Sequence, residues 1–170
     1  MNTMREIAID KVTLNIGVGK AGEPLENAKL LLSRLSGGRK PVATAAKVRN
    51  PIFKIKKGDL IGTKVTIRGP DALEFLRKAL KVWDNKLSAR AFDRNGNFAL
   101  GIHEYIEFPG AKYDPKIGII GFDVCVTLKR KGGSRVSKRK RGKAKIGKSH
   151  IITKDESIAF VTHALNAEVS

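Results

Sequence analysis

The sequence predicts an α+β fold: a mostly antiparallel sheet with helices packed on one face, an open sheet face, and a basic C-terminal extension. Three observations predict it. Runs at Ile7 to Val18, Ile61 to Arg68 and Ile120 to Leu128 alternate apolar and polar residues at the period of a half-buried strand. Segments opening at Pro24 and at Gly69-Pro70 carry apolar residues at helical spacing. The alternation itself argues against a doubly wound parallel sheet, whose strands are covered on both faces and run continuously apolar. Read along the chain, the order is β-α-β-β-α-β-β-tail-α.

In the first strand Val12, Leu14, Ile16 and Val18 alternate with Lys11, Thr13, Asn15 and Gly17. A turn follows, and Pro24 stands where a helix tolerates a missing N–H. Leu25, Ala28, Leu32 and Leu35 mark that helix's stripe, and Gly37-Gly38 ends it. Pro41 to Ala46 and Ile61 to Arg68 are strands around a loop, residues 47–58. In the latter strand Ile61, Thr63, Val65 and Ile67 face the core, leaving Gly62, Lys64, Thr66 and Arg68 on the other side. The second helix is expected to bury Leu73, Leu76, Leu80 and Trp83, widened by Phe75, Ala79 and Val82. Asp93-Arg94-Asn95-Gly96-Asn97 is a turn of the Asn-Gly type, leading to a strand with Phe98, Leu100, Ile102, Ile106 and Phe108 on one side. A loop punctuated by Pro and Gly spans Phe108 to Gly118. Ile120, Phe122, Val124, Val126 and Leu128 face inward in the last long strand. Thr153 and Glu156 have the spacing of a capping box, opening a terminal helix with Ile158, Val161 and Leu165 along its apolar edge.

Charge gives the first indication of function. The 170 residues carry a formal net charge of +18, concentrated in two stretches. Arg39 to Arg68 has nine bases against Asp59 alone, and Lys129 to Lys148 has eleven bases and no acid. The rest of the chain is close to neutral. A protein made soluble by charge would spread it, so two concentrated stretches read as a nucleic-acid footprint. The loop 47–58 carries Lys47, Arg49, Lys54, Lys56 and Lys57 with no acid among them. Aromatics make up 6% of the chain, too few for a single-strand binder that stacks bases, and neither a zinc finger nor a recognition helix is visible. Contacts to the backbone and shape of folded RNA are the better expectation, with Arg130, Lys131, Arg135, Lys138, Arg139, Lys140, Arg141, Lys143, Lys145 and Lys148 as the extension's contacts. The domain reading is an RNA-binding domain at 1–128, a basic extension at 129–150 and a C-terminal helix at 151–170 packed on the same domain.

Other classes fare worse. Gly17 to Gly22, GVGKAG, has dinucleotide-loop spacing, but Pro24 starts the helix after the last glycine. Arg39 and Lys40 stand where an acid for the ribose belongs, so a tight strand-to-helix turn is expected. His103 and Glu104, adjacent on a strand, point to opposite faces, and no nucleophile has an evident base. No metal-ligand spacing appears, so neither catalysis, metal nor cofactor is expected. Cys125 is single, which excludes an internal disulfide; it fits a reducing compartment and is expected to be buried as a small hydrophobe. No apolar run approaches the roughly 18 residues that span a bilayer, and MNTMREIAID lacks an apolar signal region. The expected location is cytoplasmic, with no membrane partner.

LNIGVG, GEPLENA, KPVATAAK, the F-x-I-x-x-G at Phe53 to Gly58, IGTKVTIRG, FDRNGNFALGIHEYIEFPG, YDP and GFDVCVTL occur in this order. Together they resemble the large-subunit ribosomal protein L5 family over nearly the whole chain. The basic tail and the KIGKSH-then-helix ending resemble its archaeal and eukaryotic branch, and the archaeal one in particular. The resemblance implies an antiparallel sheet with helices on one side that binds 5S rRNA and attaches it to large-subunit rRNA in the central protuberance, beside neighbouring proteins there. It implies 5S contacts at Asn15, Thr44, Lys64, Thr66 and Arg68, with Arg39 and Lys40 nearby; the alternation independently turns Asn15, Lys64, Thr66 and Arg68 away from their strands' apolar side. The loop with Lys47, Arg49, Phe53, Lys54, Lys56 and Lys57 matches the family's mobile loop that approaches the elbow of peptidyl-site tRNA. Asp93, Arg94, Asn95, Asn97 and Tyr113 would lie near the small-subunit head, in a bridge to protein S13. Three departures stand out: Arg39 where many members have Gln, Pro51 at the loop tip, and Lys56 where Arg is usual. Lys cannot reproduce Arg's bidentate fork.

Overall fold

The computed structural model describes residues 2–170, the side chains of Ser134 and Arg135 excepted. Its elements are β1 (Ile7–Gly17), α1 (Glu23–Leu35), β2 (Val42–Ala45), β3 (Leu60–Ile67), α2 (Pro70–Val82), β4 (Lys86–Leu87), β5 (Phe98–Ile102), β6 (Phe122–Arg130), α3 (Gly133–Ser137), α4 (Lys154–Leu165) and β7 (Glu168–Val169). Five strands form an antiparallel sheet in the order β2-β3-β1-β6-β5, and β4 pairs with β7 in a small parallel ladder. The expected α+β architecture is therefore present. Additions to the expected order are β4, β7 and α3, each too short to leave a periodic signal. By backbone contacts the chain divides into two compact units. One holds Met1–Val12, Arg68–Ala99 and Val126–Ser170; the other holds Thr13–Ile67 and Leu100–Cys125.

In the second of these units α1 lies along β3 and buries Leu25, Ala28, Leu31 and Leu32. Thr63, Val65 and Ile67 complete the buried side of β3. The Thr63 hydroxyl is fully enclosed and donates to the Val42 carbonyl at 3.4 Å, so the one polar group on that side has an acceptor. The glycine-rich stretch after β1 is a turn bound to its own fold. Both Val18 and Gly19 N–H groups donate to the Ile61 carbonyl, at 2.9 and 2.7 Å, and Gly22 caps α1 at φ 115°, a value that favours glycine. Gly62 is needed for contact: a Cβ there would stand 2.7 Å from the Ile16 carbonyl oxygen. β5 ends at Ile102, earlier than the alternation suggests. Tyr105 then turns inward and accepts from the Asp114 N–H at 2.8 Å, leaving Ile106 exposed. Cys125 also departs from expectation. It sits opposite the buried Val124 and Val126 and is half-buried, because strand parity overrides its intrinsic taste for the interior.

In the other unit α2 buries Ala72, Phe75, Leu76, Ala79 and Leu80. The stripe is shifted toward Ala72 and away from Trp83, which is exposed as the C-cap residue. Asp84 and Asn85 follow with φ of 49° and 58°, swinging the chain out of the helix before Trp83 can fold under it. The capping box of α4 forms as its spacing predicts, with Thr153 Oγ1 accepting from Glu156 N–H and Glu156 accepting from Thr153 N–H. Ser157, fully buried in α4, donates to the Gly96 carbonyl at 2.6 Å. That bond ties the Asp93–Asn97 turn to the terminal helix.

Candidate nucleic-acid interface

The second unit presents one uncovered sheet face. Because Val65 and Ile67 enter the core, Lys64 and Thr66 stand in solvent. Asn15, between the buried Leu14 and Ile16, is turned the same way from β1 and is half-buried. Thr44 of β2 pairs with Gly62, and Val42 pairs with Lys64. The Thr44 hydroxyl occupies the space that a side chain at Gly62 would need. Val42 is exposed beside Lys64, an apolar member of this face that charge-based reading passes over. Cys125 shares the face of β6 with Asp123; burial, and then the Asp123 charge, push its thiol pKa up. Such a thiol is a poor nucleophile. Arg39 is half-buried and Lys40 exposed.

The loop 47–58 is built more firmly than its composition suggests. At its base Ala46 N–H donates to Asp59 O and Gly58 N–H to Ala46 O, at 2.8 and 3.0 Å. Near its tip Asn50 and Ile55 exchange both backbone hydrogen bonds, and the Asn50 side chain accepts from Ile52 and Phe53 N–H groups. Asp59 accepts from the Lys56 N–H at 2.7 Å. All five cations of the loop are exposed, and so are Ile52 and Phe53, at 86% and 70%. The tip is a small closed hairpin with apolar side chains among ammonium groups.

Arg68 falls in the first unit with the extension, and there Asp10 organises the cations. Its carboxylate takes Lys129 at 2.7 Å, Arg68 at 3.2 Å and Lys138 at 3.9 Å. Burial pushes the Asp10 pKa up; the hydrogen bond and charge of Lys129, with Lys138 and Arg68, outweigh this and hold it below its ordinary value. Sequence reading missed Asp10, since its partners lie 58 and 119 positions away. Arg130 is consumed structurally: only 9% exposed, it makes a two-pronged pair with Glu156 at 2.8 Å. Lys131 pairs with Glu6. The outward cations are Arg139, Lys140, Arg141, Lys143, Lys145 and Lys148, all exposed. The side chain of Arg135 lies outside the described residues.

Asp93 shapes its turn by accepting from the Asn95 and Asn97 N–H groups at 2.8 and 2.7 Å. Asp93, Arg94 and Asn95 are exposed and Asn97 half-buried. Tyr113 is exposed on the loop of the second unit that Asp114 pins through Arg34 at 2.7 Å. That hydrogen bond from Arg34, ahead of the one from the Lys116 N–H, lowers the Asp114 pKa. His103 and Glu104 both face solvent. Among the described residues no group of three His, Cys, Asp or Glu side chains could hold a metal ion, and no helix is long and apolar enough to cross a membrane.

These surfaces define the class: a basic α+β protein with an exposed sheet face, a hairpin tip and a cationic extension, the features of a polyanion-binding protein. Residues 2–56 match the family described as Ribosomal protein L5, and residues 60–160 match the family described as the C-terminus of the same ribosomal proteins. The large ribosomal subunit protein uL5 of Thermoplasma volcanium is 51% identical over 95% of this chain and 94% of its own length. That of Archaeoglobus fulgidus is 50% identical over 94% and 88%, and that of Methanospirillum hungatei 42% identical over 99% of both. The chain belongs to the ribosomal protein L5 family, and it is a structural, non-enzymatic protein of archaeal type.

Proposed function

We propose that this protein is a structural constituent of the large ribosomal subunit, working in the cytoplasm, and that it binds 5S rRNA and attaches it to the large-subunit rRNA in the central protuberance. The observation that carries the reading is the sidedness of β3, with Thr63, Val65 and Ile67 buried and Lys64 and Thr66 in solvent. The face bearing Asn15, Thr44, Lys64 and Thr66, with Arg39 and Lys40 of the same unit, reads RNA shape through phosphates and 2′-hydroxyls, and Arg68 of the other unit is a further 5S rRNA contact. The exposed cations of the extension hold the large-subunit rRNA. The closed loop 47–58 faces the elbow of the peptidyl-site tRNA, and its preorganised tip fits a contact made and broken as tRNAs pass. The turn with Asp93, Arg94, Asn95 and Asn97, and Tyr113, face protein S13 of the small-subunit head.

The test is a titration with 5S rRNA, bulk tRNA and duplex DNA of similar length at several salt concentrations. A preference for 5S rRNA that survives moderate salt is expected, because shape-specific contacts persist after counterion release weakens. Equal binding to all three, collapsing together as salt rises, would leave only a general polyanion binder. Lys54→Ala is expected to leave 5S affinity unchanged and to weaken tRNA placement in reconstituted subunits.

A further inference from the structure

The first unit contains a cavity of about 490 Å³ that the reading above leaves unused. That volume lies within the range of small-ligand sites. Ile146, Ile151 and Ile152, from the chain that returns after the extension, give it an apolar floor. Lys129, Lys138 and Lys145 stand on its lining as well, the first two gathered by Asp10. The side chains of Asn95, Thr127 and His150, also on the lining, make no hydrogen bond among the described residues. An apolar slot with edge-reading polar groups and ammonium groups beside them has the chemistry of a nucleotide site, where the floor takes a base and the lysines its phosphate.

We propose that this cavity receives one nucleotide of ribosomal RNA turned out of its stack. The base lies on the floor of Ile146 and Ile151, and Asn95, Thr127 and His150 meet its edge. The phosphate sits on Lys138 and Lys145. Asp10 does not repel it, since Arg68, Lys129 and Lys138 surround that carboxylate. The inference rests on the proposed binding to ribosomal RNA and adds that one base is captured singly. It also places Asn95, expected at a subunit bridge, beside the extension's lysines.

The experiment is chemical footprinting of 5S rRNA and of large-subunit rRNA with the full chain, using a ribose-acylating reagent and a base-methylating reagent. One nucleotide should become hyperreactive at its ribose and protected at its base. Thr127→Trp, which fills the cavity without changing charge, should abolish that signature and lower affinity about tenfold, leaving other protections in place. Asn95→Ala, on an exposed turn, tests the same point if the tryptophan variant fails to fold, and should weaken the single-base protection alone. A wild-type footprint unchanged in both variants would overturn the cavity assignment and leave RNA binding standing. No protection of either rRNA by the wild type would overturn both. Free nucleoside 5′-monophosphates, run alongside by thermal shift, should act only at millimolar concentration. A micromolar shift without the rRNA signature would assign the cavity to a free nucleotide and overturn the RNA assignment.

Discussion

Lys64 and Thr66 reach solvent because Val65 and Ile67 do not. Exchanging Lys64 for alanine removes a charge without touching the core. The expected result is a loss of 5S rRNA affinity of roughly threefold to tenfold and a salt dependence shallower by about one counterion, with thermal unfolding unchanged; calorimetric titration at three salt concentrations checks it. Arg68 differs from Lys64, since Asp10 already holds its guanidinium, so Arg68→Ala is expected to disturb the Asp10 cluster as well as RNA binding. Gly62 has no room for a side chain. A methyl group there meets the Ile16 carbonyl oxygen at 2.7 Å, and Gly62→Ala should cost about 2–4 kcal/mol in a denaturant melt. The Lys64 prediction needs no more than strand parity, whereas the Arg68–Asp10 pair and the Gly62 contact are revealed only by the folded chain.

At the scale of elements, the loop and the terminal helix each hang on a short polar motif. Asn50 closes the hairpin tip by accepting from Ile52 and Phe53 N–H groups. Asn50→Ala should open the tip to proteolysis and speed amide exchange at those two positions, leaving 5S affinity as it was. Glu156 serves two elements: it completes the α4 cap and neutralises Arg130, which is 9% exposed. Glu156→Ala strands that guanidinium. Because Glu156 itself is nearly half exposed, the expected loss is roughly 2 kcal/mol, less than for a fully buried pair. The capping box was legible as Thr153 and Glu156 three positions apart. The second role was not, because Arg130 lies 26 residues earlier in a segment that reads as uniform positive charge.

At the scale of the whole molecule, three carboxylates tie stability to pH. Asp10 and Asp114 have an ordinary pKa of 3.8 and Glu156 one of 4.5, and all three are lowered in the native state. For Glu156 the backbone hydrogen bond from Thr153 is the leading cause, with Arg130 assisting against partial burial. A group whose native pKa is lowered stabilises the fold fully above its unfolded pKa and loses that contribution as pH falls through the native value. The contribution of the three carboxylates should therefore be intact from neutrality to about pH 5 and be lost below about pH 4. Asp10→Asn should make the acid decline shallower while lowering the neutral-pH melting temperature. An acid limb identical to that of the wild type would show that Asp10 does not carry its share.

The sequence by itself determined the architecture, because period-two alternation and helix caps are local signals that burial then enforces. It also determined that two stretches are cationic, and the ordered motifs were enough to place the chain in its family. Tertiary structure decided which cations remain outward. Lys129, Arg130 and Lys131 read like the rest of the extension, yet they pair with Asp10, Glu156 and Glu6. Lys140, Arg141 and Lys143 stay in solvent. It likewise placed Asn95 beside Lys138 and Lys145 around one cavity. An ion pair between distant positions leaves no periodic trace in either segment, and only the folded chain brings its two charges together.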